Sequence, residues 1–252
     1  MSFEIDNYLL SHQLLRRGFL IEQSLLGITL SDNALLETKF NYCSTDIEFL
    51  KRILRALNIR FDYQLESTGI SNIIVQEQLL TEQQIQRLFP EVEINCESGY
   101  NHYQTGFKWF KSRRHMPKIA LNELEPYVAI LVKGLSAVGC GTWGSCMGHL
   151  HRQTVFCWLI GQYNGLWAEQ LLIDARRFGI TGFKVAHYCC NKYTLTVDDA
   201  SDCTTEKQLK RDRELAIQLG LHLYQHRIRL RSLKREFIQQ IKSEKRQKVE
   251  CH

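Results

Sequence analysis

The order of the predicted helices and strands repeats once along this chain of 252 residues. Hydrophobic periodicity in the first half predicts helices over 19–31, 47–57 and 81–89, with strands near 34–37, 39–44, 60–66 and 71–76. The second half predicts helices over 123–138 and 166–178 and from Thr205 onward, with strands over 140–147, 154–160, 182–189 and 193–197. A spacing of about 100 residues between corresponding elements indicates a tandem duplication. We therefore expect an α+β fold of two αββαββα repeats related by a pseudo-twofold axis.

The duplication divides the chain into five segments. Residues 1–18 predict an N-terminal helix that ends near Gly18, and residues 19–90 form the first repeat. A basic and aromatic linker over 91–118 leads to the second repeat at 119–204. Residues 205–252 predict a long basic C-terminal helix.

Positive charge is concentrated in that last segment. The whole chain has a net charge of +5, but residues 206–252 carry 13 Lys and Arg against 6 Asp and Glu, a net charge of +7. Apolar residues at near-heptad spacing are interleaved with the predicted binding residues Arg227, Arg229, Arg231, Lys234 and Arg235. This pattern predicts a helix that docks on protein along one stripe and on phosphates along another. The alternative is a solvated helical extension.

The linker combines the two side-chain types that bind nucleic acids. Aromatic residues between Tyr100 and Phe110 are interleaved with Lys108, Lys111, Arg113, Arg114 and Lys118. Cations neutralise phosphates and aromatic rings stack on unpaired bases, so this segment suits RNA as well as DNA. Lys184 in the predicted strand 182–189 and Lys192, just before the predicted strand 193–197, complete the predicted nucleic-acid-binding set. The alternative is a loop whose aromatic residues pack between the two repeats.

Several short motifs, in order, resemble the LAGLIDADG homing endonucleases and maturases. Residues 27–35, Gly-Ile-Thr-Leu-Ser-Asp-Asn-Ala-Leu, resemble the end of that family's signature helix and the residues after it. Residues 39–42 and 48–54 resemble the next strand and helix of family members. In the second half the similar segments are 106–110, 116–119, 124–126 and 192–197. The resemblance extends over residues 19–210.

The resemblance implies two signature helices packed side by side and sheets that lie over a nucleic-acid duplex. It also implies an acidic residue at the foot of each helix that holds Mg²⁺ at the scissile phosphates. Asp32 is the candidate catalytic acid of the first repeat, and an Asx turn is its alternative role. The second repeat has Leu135 and Ser136 at the corresponding positions, and no Asp or Glu lies between Glu125 and Glu169. The two-carboxylate site is therefore incomplete.

We expect a nucleic-acid-binding protein derived from a LAGLIDADG endonuclease that has lost cleavage. RNA is favoured over DNA as the partner, and the role would be that of a maturase-like factor or a structural component of a ribonucleoprotein, such as an organellar ribosome. An active Mg²⁺-dependent DNA endonuclease is the alternative. No other cofactor is expected.

A glycine-rich segment raises two further hypotheses. Gly139, Gly141 and Gly144 spell G-x-G-x-x-G, but a dinucleotide site needs a strand before this motif, and here a helix precedes it. Weak candidate metal ligands are present at Cys140, Cys146, His149 and His151. Their C-x5-C-x2-H-x-H spacing lacks the paired knuckles of structural zinc sites, so we expect no bound metal. A metal or thiol enzyme centred on Cys146 remains the third hypothesis.

Composition indicates the cellular compartment of such a protein. No apolar run reaches the roughly 20 residues that span a bilayer, so we expect no membrane partner. The chain has 9 cysteines in irregular spacing, and its first residues match neither a signal peptide nor a transit peptide. These features predict an intracellular, reducing compartment, with the mitochondrion among the candidates.

Overall fold

The chain forms a mixed α+β protein with two four-stranded antiparallel sheets. A computed structural model describes residues 8–24, 27–31, 44–65, 71–88, 124–150, 154–189, 191–198 and 205–250. Contacts divide the chain into two compact units, Met1–Ile130 (unit 1) and Leu131–His252 (unit 2). Among the described helices, none is both long enough and apolar enough to cross a bilayer.

Unit 1 contains three described helices and one sheet. The helices are α1 (Leu10–Arg17), α2 (Ser44–Ala56) and α3 (Glu82–Leu88), and the strands are β1 (Glu22–Ser24), β2 (Gly27–Ser31), β3 (Phe61–Leu65) and β4 (Ser71–Val75). The strand order is β1-β2-β4-β3. Leu50 and Leu54 of α2 are buried, as are Ile73 and Val75 of β4. Lys51 Nζ lies 3.7 Å from the ring centroid of Tyr63 on β3, so α2 lies against this sheet.

The predicted helix over 19–31 is wrong, because this segment forms the β1–β2 hairpin. Ile28 pairs with Val75 and Leu30 with Ile73, so β2 lies between β1 and β4 within the sheet. A short apolar run fits either a helix or a strand by periodicity alone, and β-branched Ile28 and Thr29 favour the strand when a partner is present. The helix that precedes this hairpin is α1. It ends at Gly18, as predicted, in a left-handed conformation with φ 108°.

Helix α3 begins beside Thr81, the first residue of the predicted helix over 81–89. The backbone N–H of Gln84 donates to Thr81 Oγ1 (3.2 Å), and the backbone N–H of Thr81 donates to Gln84 Oε1 (3.0 Å). This reciprocal pair is a capping box, which satisfies two donors that the start of α3 would leave unpaired. Strands β3 and β4 also lie within their predicted ranges.

Helix α4 (Ala129–Ala137) leads into unit 2, which contains a second sheet. Its strands are β5 (Thr142–Cys146), β6 (Phe156–Ile160), β7 (Phe183–Cys189) and β8 (Lys192–Val197), and its helices are α5 (Gln162–Arg176), α6 (Glu206–Gln225) and α7 (Arg227–Glu250). The strand order is β5-β6-β8-β7. Helix α5 packs on one face of this sheet, where Cys157, Leu159 and Leu195 are buried.

Three helix boundaries in the second half differ from the predictions. Helix α4 begins at Ala129 rather than near 123, because Tyr127 has a positive φ of 62° that an α-helix cannot contain. Helix α5 begins at Gln162, four residues before the predicted start. The predicted long C-terminal helix is divided at His226, whose φ of −97° and ψ of 12° separate α6 from α7.

Candidate nucleic-acid interface

Alternation along the strands of unit 2 gives the sheet two different faces. One face packs on α5. On the other, the register aligns Phe156 with Thr196 and Lys184, and Trp158 with Thr194 and Ala186. A bulge between His187 and Cys189 brings Tyr188 near Trp158. We call this surface the aromatic face, and its members are Phe156, Trp158, Lys184, Ala186, Tyr188, Lys192, Thr194 and Thr196.

Three aromatic rings form a row across the aromatic face. The ring centroids of Phe156 and Trp158 are 5.2 Å apart, and those of Trp158 and Tyr188 are 6.4 Å apart. Phe156 and Trp158 are half-buried, whereas Tyr188 is 66% exposed. The row therefore ends in a ring whose surface is mostly available to a ligand.

Two lysines border this row of rings. Lys184 is exposed, and its Nζ donates to the backbone oxygen of Asp198 (2.7 Å), an acceptor without net charge. Lys192 is half-buried on β8, opposite Ile160 of β6. Both predicted binding residues thus belong to one surface with the aromatic row. A surface of this composition attracts phosphates and offers rings to bases.

The sheet of unit 1 has a different surface. Asp62 and Gln64 of β3, which alternate with the residues that face α2, are exposed, and they pair with Ile74 and Asn72 of β4. By sequence, unit 1 has a net charge of −3 and unit 2 a net charge of +8. A polyanion is therefore attracted to unit 2 rather than to unit 1.

Cations of α7 bind the end of α4 within unit 2. Arg231 Nε donates to the backbone oxygen of Ala137 (2.5 Å), and Lys234 Nζ donates to that of Gly139. Between them, Trp167 Nε1 donates to the oxygen of Val138 (3.1 Å). The last carbonyls of a helix lack intrahelical partners and carry partial negative charge, so these donors form a C-terminal cap. Burial lowers the pKa of Lys234 below its ordinary value.

Other cations of α7 also have intramolecular partners. Arg229 forms a bidentate ion pair with Asp174 of α5, with both nitrogen–oxygen distances 2.8 Å. Arg227 donates to the oxygen of Tyr224 (2.9 Å) and lies 4.2 Å from the centroid of its ring. Arg235 is exposed. Four of the five predicted binding residues on α7 thus hold this helix in place, which sequence periodicity did not indicate.

Asp174 is the centre of a network between α5, α6 and α7. Its carboxylate also contacts His222 Nε2 at 3.1 Å, and the rings of His222, His226 and Phe178 lie 4.6 to 5.0 Å apart between centroids. The Arg229 guanidinium lowers the pKa of Asp174. Burial lowers the pKa of His222 even though Asp174 opposes this effect. The network therefore holds the first turn of α7 against α5 and α6.

The structure describes the two positions at which the second repeat lacks the family's acidic residue. Leu135 is buried in α4 and Ser136 is exposed on it. Asp32 lies outside the described residues, but residues 27–31 before it form a strand, so the prediction that they end a helix is wrong. Lys108, Lys111, Arg113, Arg114 and Lys118 also lie outside the described residues.

Of the Cys and His candidates, Cys140 is poorly suited to metal or thiol chemistry. Cys140 is fully buried, its Sγ donates to the oxygen of Asn164 (3.6 Å), and burial raises its pKa to about 12. A protonated thiol is a weak ligand and a weak nucleophile. Cys146 is buried and accepts from the backbone N–H of Gly148 (3.4 Å), and His149 is half-buried. His151 lies outside the described residues.

A cation–aromatic cluster on α2 was not predicted. Arg17 and Arg52 lie 4.8 and 5.6 Å from the ring of Phe49, and Arg55 lies 5.8 Å from that of Phe61. The run Leu-Lys-Arg-Ile-Leu-Arg over residues 50–55 is the signal that would have indicated it. Cation–π contacts stabilise these side chains against the helix and β3.

No protein-family model matches the chain, and neither curated proteins nor solved structures include a match to it.

Proposed function

We propose that the chain is a degenerate LAGLIDADG-like protein that binds RNA through unit 2 and does not cleave nucleic acid. In this proposal it acts as a maturase-like factor or as a structural component of a ribonucleoprotein. The observation that carries the proposal is the aromatic face, with Lys184 and Lys192 beside its three rings. The order of the helices and strands and the ends of α1 and α4 add support.

The topology supports an internal duplication. The order helix, two strands, helix, two strands, helix occurs from α1 to α3 and again from α4 to α6, and both sheets have the strand order first, second, fourth, third. Helices α1 and α4 begin 119 residues apart, so the period is longer than the 100 residues that the sequence indicated. A glycine with positive φ lies just beyond each helix, at Gly18 and Gly139. In this proposal α1 and α4 are the two signature helices.

The ends of these helices support the loss of cleavage. Helix α1 ends in Arg16 and Arg17, and α4 ends in Ser136 and Ala137, so neither supplies a carboxylate at its foot. The carbonyls at the foot of α4 already accept from Arg231 and Lys234. A divalent cation needs oxygen ligands and is repelled by ammonium and guanidinium groups. The foot of α4 is therefore a poor place for Mg²⁺.

Charge reversal on the aromatic face is expected to weaken RNA binding by about tenfold or more, because two phosphate-binding cations become anions. The variant is Lys184→Glu with Lys192→Glu, and the measurement is fluorescence anisotropy with a labelled structured RNA in 50 to 200 mM salt. The matched control is Lys207→Glu with Lys210→Glu, which makes the same charge change at exposed positions of α6. Equal loss in both variants would mean that net charge, rather than this face, determines binding.

The nuclease hypothesis has its own test. Asp32→Asn is expected to leave RNA affinity unchanged, and neither the wild-type protein nor this variant is expected to nick duplex DNA with Mg²⁺. The measurement is a plasmid-nicking assay at several Mg²⁺ concentrations. Metal-dependent nicking by the wild-type protein that Asp32→Asn abolishes would contradict the proposed function and establish the endonuclease alternative.

A further inference from the structure

We propose that the aromatic face binds unpaired RNA bases, with Tyr188 as the ring on which a base stacks. The inference rests on the proposed function, since it names the form of RNA that the same surface takes. A duplex-binding saddle would instead present cations and polar groups along the grooves. The three rings of the aromatic face instead offer flat apolar surfaces on which bases can stack.

The position of Tyr188 makes its ring suitable for stacking. It is 66% exposed, and its ring lies 6.4 Å from that of Trp158, at an angle of 31° between the ring planes. Trp158 in turn lies 5.2 Å from Phe156 on the same strand. Because the Tyr188 ring packs beside Trp158, it loses less freedom when a base covers it than a fully mobile side chain would, so stacking on it is less costly.

The geometry of bases determines the form of the ligand. In a duplex both faces of an internal base are covered by its neighbours, so a ring can stack only on a base that is unpaired and unstacked. Lys184 and Lys192 lie on the same face as the rings and supply positive charge for the phosphates on either side of such a base. Charge therefore favours a polyanion over an apolar peptide as the occupant.

Stacking of a base on Tyr188 also gives a role to its exposed apolar ring. The apolar surface of an exposed tyrosine ring is unfavourably hydrated, and a base that stacks on the ring removes this surface from water. Stacking on one ring changes affinity by about 5- to 100-fold when the ring is removed. It shows little preference among bases, since every base has a π-face.

The test compares a single-stranded 12-nucleotide oligouridine with a 12-base-pair RNA duplex, using the full chain. We expect the wild-type protein to bind the single strand more tightly, and Tyr188→Ala to weaken that binding by about 5- to 100-fold. Tyr188→Phe keeps the ring and is expected to bind as the wild type does. Oligouridine is also expected to quench the fluorescence of Trp158, and this quenching should be absent in Trp158→Phe.

Three results would overturn the inference. If Tyr188→Ala and the wild type bind oligouridine equally, the ring does not stack on a base. If the duplex binds as tightly as the single strand, and charge reversal at Lys184 and Lys192 weakens both, the face binds phosphates alone and the proposed function stands without the inference. If neither RNA binds, the proposed function fails as well. Circular dichroism of Tyr188→Ala checks that this exposed position leaves the fold intact.

Discussion

Replacing Gly134 by valine is expected to destabilise unit 2 by about 3 kcal/mol or more. A Cβ atom at Gly134 of α4 would lie 2.3 Å from the backbone oxygen of Gly220 on α6 and 2.9 Å from its Cα. The two helices approach so closely because neither residue has a side chain at the contact. A side chain there must push backbone away from backbone, which costs more than moving a flexible side chain.

The measurement is urea denaturation followed by circular dichroism, with Ser136→Val as the matched control. Ser136 lies on the same helix but is exposed, and serine and valine have similar helix propensities, so this change is expected to cost little. The expected result is a lower midpoint for Gly134→Val and a nearly unchanged midpoint for Ser136→Val. Equal midpoints for the two variants would show that α4 and α6 do not make this backbone contact in solution.

Asp174→Asn is expected to cost about 2 kcal/mol of stability, the second largest effect. The change removes the bidentate ion pair with Arg229 and weakens the contact with His222. Breaking a fully buried ion pair typically costs roughly 3–5 kcal/mol, but the Arg229 side chain is 43% exposed, so solvent screens part of the loss. Glu169→Gln, an exposed position on α5, is the control and should change stability little.

The same network predicts how stability depends on pH. The pKa of His222 is lowered in the folded state, so as pH falls below about 6.5 the unfolded chain takes up a proton that the folded chain resists. The pKa of Asp174 is also lowered, so its contribution is present above about pH 4 and is lost as pH falls further. Both groups therefore make unfolding easier in acid.

Denaturation at pH 8, 6.5 and 5 isolates the contribution of His222, because that of Asp174 changes only below about pH 4. Wild-type stability should fall between pH 6.5 and pH 5, and His222→Gln should reduce the slope in that range because it removes the group that titrates there. Asp174→Asn removes a partner that favours protonated His222, so it should leave the slope at least as steep. A wild-type slope that His222→Gln leaves unchanged would assign the pH dependence to other groups.

Local signals in the sequence predicted much of the fold. Alternation over 60–66 indicated β3, and the predicted helix over 81–89 corresponds to α3. Residues 19–31 were predicted wrongly, because a short apolar segment becomes a strand only when a partner such as β4 is present to pair with it. The pairing of β2 with β4 joins residues more than 40 positions apart, which hydrophobic periodicity does not include.

The candidate site was predictable only in part. Lys184 and Lys192 were predicted as binding residues, but Trp158 and Tyr188 were not, since their shared face depends on the β6–β8–β7 register and on the bulge at His187. The α7 cations were predicted to bind nucleic acid from their charge alone. Their partners Asp174, Ala137 and Gly139 lie 55 to 95 residues away, so their capping role required the structure.

Ultraviolet cross-linking of the wild-type protein to oligouridine, with mass spectrometry of the cross-linked peptides, tests the central claim most directly. We expect adducts within 156–160 and 183–192, the strands and turn that carry Phe156, Trp158 and Tyr188. Adducts confined to other segments, or no adduct at a concentration that saturates binding, would contradict the claim that the aromatic face binds RNA.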